Sequence, residues 1–312
     1  MDIETERVLR RLKLSDLRLL RAVVEWGGVA KAARQLNVSQ PAVSKALASM
    51  EHAVGVRLVD RTTRGVRATM YGEALLSCGT TVFDELTQSL NRIRFLSDPS
   101  AGLVRIGCTE TGAASFVPTV IAKFAQERTR VLFEVTTADP MTLVEQRLVQ
   151  RHVDLVIGAL PIIRTKNDFD VVRLFPDRMV VMASRKSKWA RRREIKLSDL
   201  VDESWVLPPS GTEPANLIAD AFRKAGATPP RRVVTGFSIP LILHLLARGD
   251  HLAMLPALLA RFSPHLHLKA LPVSFPGVPR EVGIVTLRNR TVGPLTKLFI
   301  DCARKLAASV QP

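Results

Sequence analysis

Apolar residues at Leu17, Leu20, Val23 and Val24 recur on one face of a helix between Ser15 and Trp26, and Gly27-Gly28 ends it. An alanine-rich second helix over Val29 to Leu36 offers Ala32 and Ala33 for close packing, with Asn37-Val38 as the turn behind it. Ser39 then supplies a capping hydroxyl and Pro41 suits a first turn, so Val43, Leu47, Met50 and Val54 form the buried stripe of a third helix that Gly55 stops. Leu58 to Arg61 and Val66 to Ala68 flank Thr62-Thr63-Arg64-Gly65, the pattern of a two-stranded hairpin with a basic tip. Thr69 is placed to cap a long helix reaching about Leu96, with Leu75, Val82, Leu86, Leu90 and Ile93 spaced to pair with another helix. The helical period is lost over residues 97–102, where Pro99, Gly102 and small polar residues cluster as a linker.

Beyond the linker, short apolar runs alternate with helical stretches. The runs are Leu103 to Gly107, Val131 to Thr136, Asp154 to Gly158, Met179 to Ala183, Trp205 to Leu207, Val233 to Thr235, Leu252 to Leu255 and Glu281 to Leu287. This alternation predicts an α/β domain with largely parallel sheets. Its length favours two lobes, with crossovers expected near Val180 and Thr286. The expected organisation is a winged helix-turn-helix at 13–70, a linker helix at 71–98 and a two-lobed domain at 102–312. Its first lobe spans about 102–180 and 286–312, its second about 181–285. In such folds ligands bind at the carboxyl ends of strands, here in the cleft between lobes.

Charge narrows the function. The 312 residues include 45 Lys and Arg against 29 Asp and Glu, a net charge of +16 that favours a polyanionic partner. The excess is +5 over residues 1–97 and +11 beyond them, so net charge alone does not locate a DNA site. Residues 13–67, however, hold 10 basic and 4 acidic side chains, a denser excess than the whole. The second helix of a helix-turn-helix enters the major groove by its N-terminal end, where small or hydrogen-bonding side chains must reach base edges. Ser39, Gln40, Pro41, Ser44 and Lys45 meet that demand: Gln40 can read adenine, Lys45 guanine or phosphate, and the hydroxyls either. Arg61 and Arg64 on the wing are placed for backbone or minor-groove contact. The opposing reading is an ordinary three-helix cluster whose polar residues are merely solvated.

The run from Ala32 to Lys45, followed by Gly55-Val56-Arg57-Leu58-Val59-Asp60-Arg61, resembles the LysR-type transcriptional regulators. The resemblance continues less strictly through Arg105-Ile106-Gly107, residues 153–158 and residues 249–256. It implies double-stranded operator DNA as a partner, a homodimer or homotetramer paired through the linker helix, RNA polymerase as a further partner, and an effector domain like a periplasmic binding protein. Residues 207–212 are similar to regulators of the galactose-binding-protein and protocatechuate-pathway type. Two positions depart from the family: Gly28-Val29-Ala30 stands where a hydroxyl residue often precedes the second helix, and His251 where a glycine commonly follows Gly249-Asp250. The family's cleft-facing Ser or Thr after the first strand matches Thr111, with Thr109 and Glu110 beside it, and Ser210, Thr212, Phe237 and Ser238 match the opposite wall. Each such hydroxyl is also a plain helix cap. The expected effector is an organic acid or a polar sugar-like metabolite, the acid favoured by the basic balance and by helix N-termini.

Other classes fit less well. No GxSxG, Walker A, GxGxxG or HExxH pattern occurs, so neither an enzyme nor a cofactor is expected. His265 and His267 share a strand face, but no third metal ligand lies near them in sequence. Cys78, Cys108 and Cys302 are far apart and form no disulfide framework. The N-terminus lacks the basic-then-apolar pattern of an export signal and no run approaches the ~20 apolar residues of a membrane span, so a cytoplasmic protein is expected. A solute-binding protein would reverse these features, and a purely architectural DNA protein would lack the ligand cleft.

Overall fold

The computed structural model describes residues 3–62, 65–160, 168–273 and 280–309. The chain divides into two compact units, Met1–Ser89 and Leu90–Pro312.

The first unit opens with a helix that the apolar pattern did not announce, α1 (Ile3–Arg11). Glu6 and Arg10 pair at 2.7 Å one turn apart, and Arg10 and Arg11 sit in the last turn, where cations complement the helix dipole. Next come α2 (Leu14–Glu25), α3 (Val29–Leu36) and α4 (Gln40–Val54), the hairpin β1 (Val59–Thr62) and β2 (Gly65–Ala68), and α5 (Met70–Ser97). The three-helix core is dry: Leu20, Val23, Ala32 and Val43 are fully buried. Glu51 on α4 fixes the hairpin's approach, its Oε1 accepting from the Leu58 amide at 2.8 Å.

Two glycines set how the hairpin docks. The Val66 amide donates to the Gly27 carbonyl at 3.1 Å, and the neighbouring Gly65, at φ +123°, would carry any Cβ to 2.6 Å from that oxygen. On the other side, Thr69 caps α5 through the Gly72 amide (3.1 Å) while its hydroxyl donates to the Arg57 carbonyl (2.8 Å). A Cβ on Gly72 would run into the Leu58 carbonyl.

In the second unit β3 (Ala101–Cys108), α6 (Glu110–Ala113), α7 (Phe116–Glu127), β4 (Arg130–Thr137), a π-type turn (Thr142–Leu148), β5 (Leu155–Ala159) and β6 (Phe169–Asp177) build most of one sheet. The chain then crosses at Arg178 into β7 (Met179–Ser184), 3₁₀ turns at Lys188–Arg191 and Leu197–Leu200, β8 (Ser204–Leu207), α8 (Glu213–Lys224), β9 (Arg232–Thr235), α9 (Ile239–Arg248), β10 (His251–Pro256), α10 (Leu258–Phe262), a further 3₁₀ turn (Pro264–Leu266) and β11 (Leu268–Ala270). It returns as β12 (Arg280–Leu287) and closes with α11 (Pro294–Ser309). The sheet orders are β4-β3-β5-β12-β6 and β11-β7-β10-β8-β9.

Both sheets are mixed rather than largely parallel, because β12 runs antiparallel to β5 and β6, and β7 antiparallel to β10 and β11. The chain leaves the first sheet after Asp177 and enters the second at Met179. The return does not fall at Thr286, which lies inside β12; the first sheet resumes at Arg280. Helices α7 and α11 cover one face of the first sheet, where Phe124 and Phe299 meet edge to face at 5.4 Å. In the second, Trp205 packs edge-on against Phe222 at 5.5 Å and donates its indole N–H to the Leu200 carbonyl at 2.8 Å. Asp154 ties β3 to the α11 end, accepting from the Arg105 amide (2.9 Å), the Arg105 side chain (3.1 Å) and the buried Arg290 guanidinium (2.8 Å).

Gly72 provides a stability test. Alanine is the better helix former by about 1 kcal/mol, but a backbone carbonyl cannot swing aside, and overpacking costs about 1–3 kcal/mol or more. Gly72→Ala should therefore lower the denaturant midpoint, whereas Gly79→Ala, whose Cβ would meet Leu17 at 3.4 Å, should keep or raise it. Equal midpoints for the two variants would refute the docking role of Gly72.

Candidate DNA-reading face and effector site

Ser39 is the N-cap of α4, its Oγ accepting from the Ala42 amide at 3.3 Å, and Pro41 fills the first turn, where no amide is needed. Val43, Leu47 and Met50 turn inward. The alternation leaves Gln40, Pro41, Ser44 and Lys45 exposed together on the opposite side. The side chains of Gln40, Ser44 and Lys45 form no hydrogen bond or ion pair among the described residues, so their donors and acceptors remain available for base edges. Arg61 is exposed on β1, opposite Val66. Arg64, expected beside it at the wing tip, lies outside the described residues. The family departure at Gly28 has a visible consequence: α3 has Gly28 as N-cap and no side-chain cap. Lys31 and Arg34, exposed on α3, are further cations of this unit that the motif reading passed over.

On the expected cleft, Thr109 follows β3 and caps α6, its hydroxyl accepting from the Gly112 amide (3.3 Å) and sharing a hydrogen bond with the Thr111 hydroxyl (3.0 Å). Glu110 reaches across to the second sheet's α9, where its Oε2 accepts from the Ile239 amide at 3.0 Å. Ser238 caps that same helix through the Leu241 amide at 3.5 Å, and Phe237 beside it is 55% exposed. A second hydrogen bond ties the end of α6 to the end of α10, from the Ser263 hydroxyl to the Ala114 carbonyl at 2.7 Å. Thr109, Glu110, Thr111 and Ser238 are therefore brought to one place from positions 129 residues apart. Ser210 and Thr212 follow the end of β8, the strand next to β9, and Gly236 donates to the Leu207 carbonyl at 3.0 Å between them. Thr212 is largely self-occupied, capping α8 through the Ala215 amide (3.4 Å) and donating to the Pro209 carbonyl (2.8 Å). Ser263 and Ala114 are the contacts that sequence reasoning missed, and nothing local in the chain marks them.

A cavity of about 450 Å³ opens elsewhere, between β6 and α11, lined by Arg173, Leu174, Asp301, Arg304, Lys305 and Ala308. Among the described residues no three His, Cys, Asp or Glu side chains gather to hold a metal ion, His265 and His267 included. Burial pushes the Cys108 thiol up to about 11, which keeps it un-ionised at neutral pH. No helix among the described residues is long and apolar enough to cross a membrane.

Residues 14–73 match the bacterial regulatory helix-turn-helix protein family of lysR type, and residues 97–308 match the LysR substrate binding domain. The chain is 29% identical over 298 residues to the HTH-type transcriptional regulator GbpR of Azospirillum brasilense, covering 94% of this chain and 86% of that one. It is 31% identical over 282 residues to the HTH-type transcriptional regulator GalR of Pseudomonas putida, covering 88% and 69% respectively. The crystal structure of full-length CbnR complexed with its target DNA has the same fold, with a TM-score of 0.62 at 20% identity over 94% of this chain and 99% of that one. With both family domains in order along one chain, and relatives named as regulators rather than enzymes, the protein belongs to the LysR family of DNA-binding transcriptional regulators that carry an effector-binding domain.

Proposed function

We propose that Gln40, Ser44 and Lys45 read operator bases while Ser39, Pro41, Arg61 and Arg64 seat the duplex, and that an effector held between the two sheets controls transcription. The observation that carries the first part is the exposed, unengaged polar end of α4, since only side chains with free hydrogen-bonding capacity can discriminate bases. RNA polymerase is the partner through which such a regulator acts once it is seated at a promoter. Gln40→Ala should weaken binding to the operator by about 1–3 kcal/mol and leave random-duplex binding nearly unchanged. Fluorescence anisotropy on the two duplexes checks this, and equal losses would remove Gln40 from base reading.

The linker helix supports a homodimer, with pairs of dimers as the tetrameric form. Leu86, Leu90 and Ile93 on α5 are 44%, 53% and 60% exposed, an apolar stripe that a lone helix would leave in water. Leu75, expected in the same seam, is instead packed against the first unit's own core of Leu20, Leu47, Met50 and Leu58. A heptad-like spacing cannot say which of two faces a residue joins. Leu90→Glu should shift sedimentation toward the monomer, whereas an unchanged sedimentation coefficient across the dilution series would eliminate the seam.

The effector site is read as Thr109, Glu110, Thr111, Ser210, Thr212, Phe237 and Ser238. An organic acid is favoured over a sugar-like metabolite because the α9 N-terminus already accommodates a carboxylate, that of Glu110, at 3.0 Å. In this reading Glu110 holds the seat of the effector's own carboxylate and must be displaced. Glu110→Gln should raise the affinity for small dicarboxylates about tenfold or less, about 1.4 kcal/mol at most, and leave sugars unaffected, as read by calorimetry. Weaker dicarboxylate binding in Glu110→Gln would overturn the displacement model.

A further inference from the structure

Residues 185–196 concentrate charge as no other stretch of the chain does: seven basic side chains against the single acid Glu194. That net +6 is more than half of the +11 carried beyond residue 97. All seven basic residues are exposed, while Ser187, Ala190, Ile195 and Leu197 between and beside them are buried. The anchors make the segment a fixed platform rather than a loose tail. Ser187 caps the 3₁₀ turn Lys188–Arg191, the Lys269 ammonium on β11 donates to the Ala190 carbonyl at 2.5 Å, and Ile195 bridges to Val273.

Lys188 pairs with Glu203 at 2.8 Å, but the side chains of the other six form no ion pair among the described residues. Solvated surfaces ordinarily intersperse the two signs, because like charges within a Debye length of about 8 Å repel. Holding six uncompensated cations together is unfavourable in isolation and becomes favourable when a polyanion lies against them. Arg191, Arg192 and Arg193 present guanidinium forks that match phosphate oxygens in pairs. The local aromatic, Trp189, is half-buried with the Lys188 ammonium 5.4 Å from its ring centre, so it is not free to stack on an unpaired base. Double-stranded DNA, already held by the same molecule through its helix-turn-helix, is the polyanion present at the highest effective concentration.

We propose that the 185–196 platform is a second, sequence-independent DNA contact, gripping phosphates of duplex outside the base pairs read by α4. It acts in the DNA-bound regulator and adds affinity without selecting sequence. The test uses the full-length chain with a mixed-sequence duplex of about 60 bp, titrated by anisotropy at several salt concentrations, where each phosphate neutralised adds about 0.9 to the slope of log K against log salt. The triple variant Arg191→Ala, Arg192→Ala, Arg193→Ala should lose about 2–3 from that slope and bind about tenfold or more weakly at low salt. The matching triple lysine variant, which keeps the charge, should retain the slope and so separates charge from folding. Gln40→Ala should leave this slope as in the unsubstituted chain, which keeps a failure of base reading distinct from a failure of the platform. An unchanged slope in the alanine variant overturns the proposal. Loss of binding to a glutamate-rich peptide alongside an unchanged slope would reassign the platform to an acidic protein and overturn it equally.

Discussion

The second unit turns on one buried carboxylate. Asp177 is the last residue of β6, at the point where the chain leaves the first sheet, and Arg280 is the first residue of β12, where it comes back; the two face each other in register. The Arg280 guanidinium donates to Asp177 at 3.3 Å, and the Leu258 amide at the start of α10 donates at 3.2 Å. Burial pushes the Asp177 carboxyl above its ordinary range, and the Arg280 charge together with the amides of Arg178 and Leu258 pulls it back. A carboxylate so enclosed and stripped of partners would cost several kcal/mol, so both crossings and the α10 terminus are held to one arrangement around it. Helix α10 extends the effect: Leu258 belongs to the first sheet's core and Leu259 to the second's, while Phe262 meets Phe116 edge to face at 5.1 Å.

This buried cluster differs in kind from the Glu110 contact. Glu110 is exposed, and its hydrogen bond to Ile239 competes with water. A bond of that kind contributes on the order of 1 kcal/mol, whereas removing a partner from a buried carboxylate costs several. The exposed Glu110 bond is thus the more labile of the two, and the Asp177 cluster the more tightly held. On the proposed reading, a small molecule that replaces the Glu110 carboxylate at α9 needs only modest binding energy to shift the arrangement, because a ligand moves an equilibrium by its difference in affinity for the two states.

What the chain disclosed about itself follows the range of the interactions concerned. The helix-turn-helix and wing rest on contacts between close neighbours, with caps at Ser39 and Thr69 and glycines at the turns, so local pattern was enough. The strand β6 was passed over because Asp170, Arg173 and Pro176 interrupt its apolar run, and its pairing with β12 is itself irregular between Val282 and Gly283. Three-residue β11 is too short to show a period. The return crossover was misplaced because residues 281–287 read as one more strand, with nothing local to say which sheet it joins. The candidate effector site was legible residue by residue through family resemblance, yet its main bond, Glu110 to Ile239, spans 129 positions and leaves no local trace.

The distribution of charge also separates selectivity from affinity. The α4 surface proposed to read base edges is built from an amide, a hydroxyl and one ammonium, groups that discriminate by geometry. Phosphate attraction does not discriminate, and too much of it at the reading head would hold the protein on any sequence as firmly as on its operator. In the proposed reading, a first unit with a modest excess of +3, coupled to a second whose excess is densest over residues 185–196, keeps the reading head selective and draws electrostatic affinity from elsewhere in the molecule. On the proposed reading the sequence-independent term is tied to the unit that carries the effector-binding domain, so an effector bound near Glu110 would change how firmly the regulator grips DNA without altering which bases α4 reads.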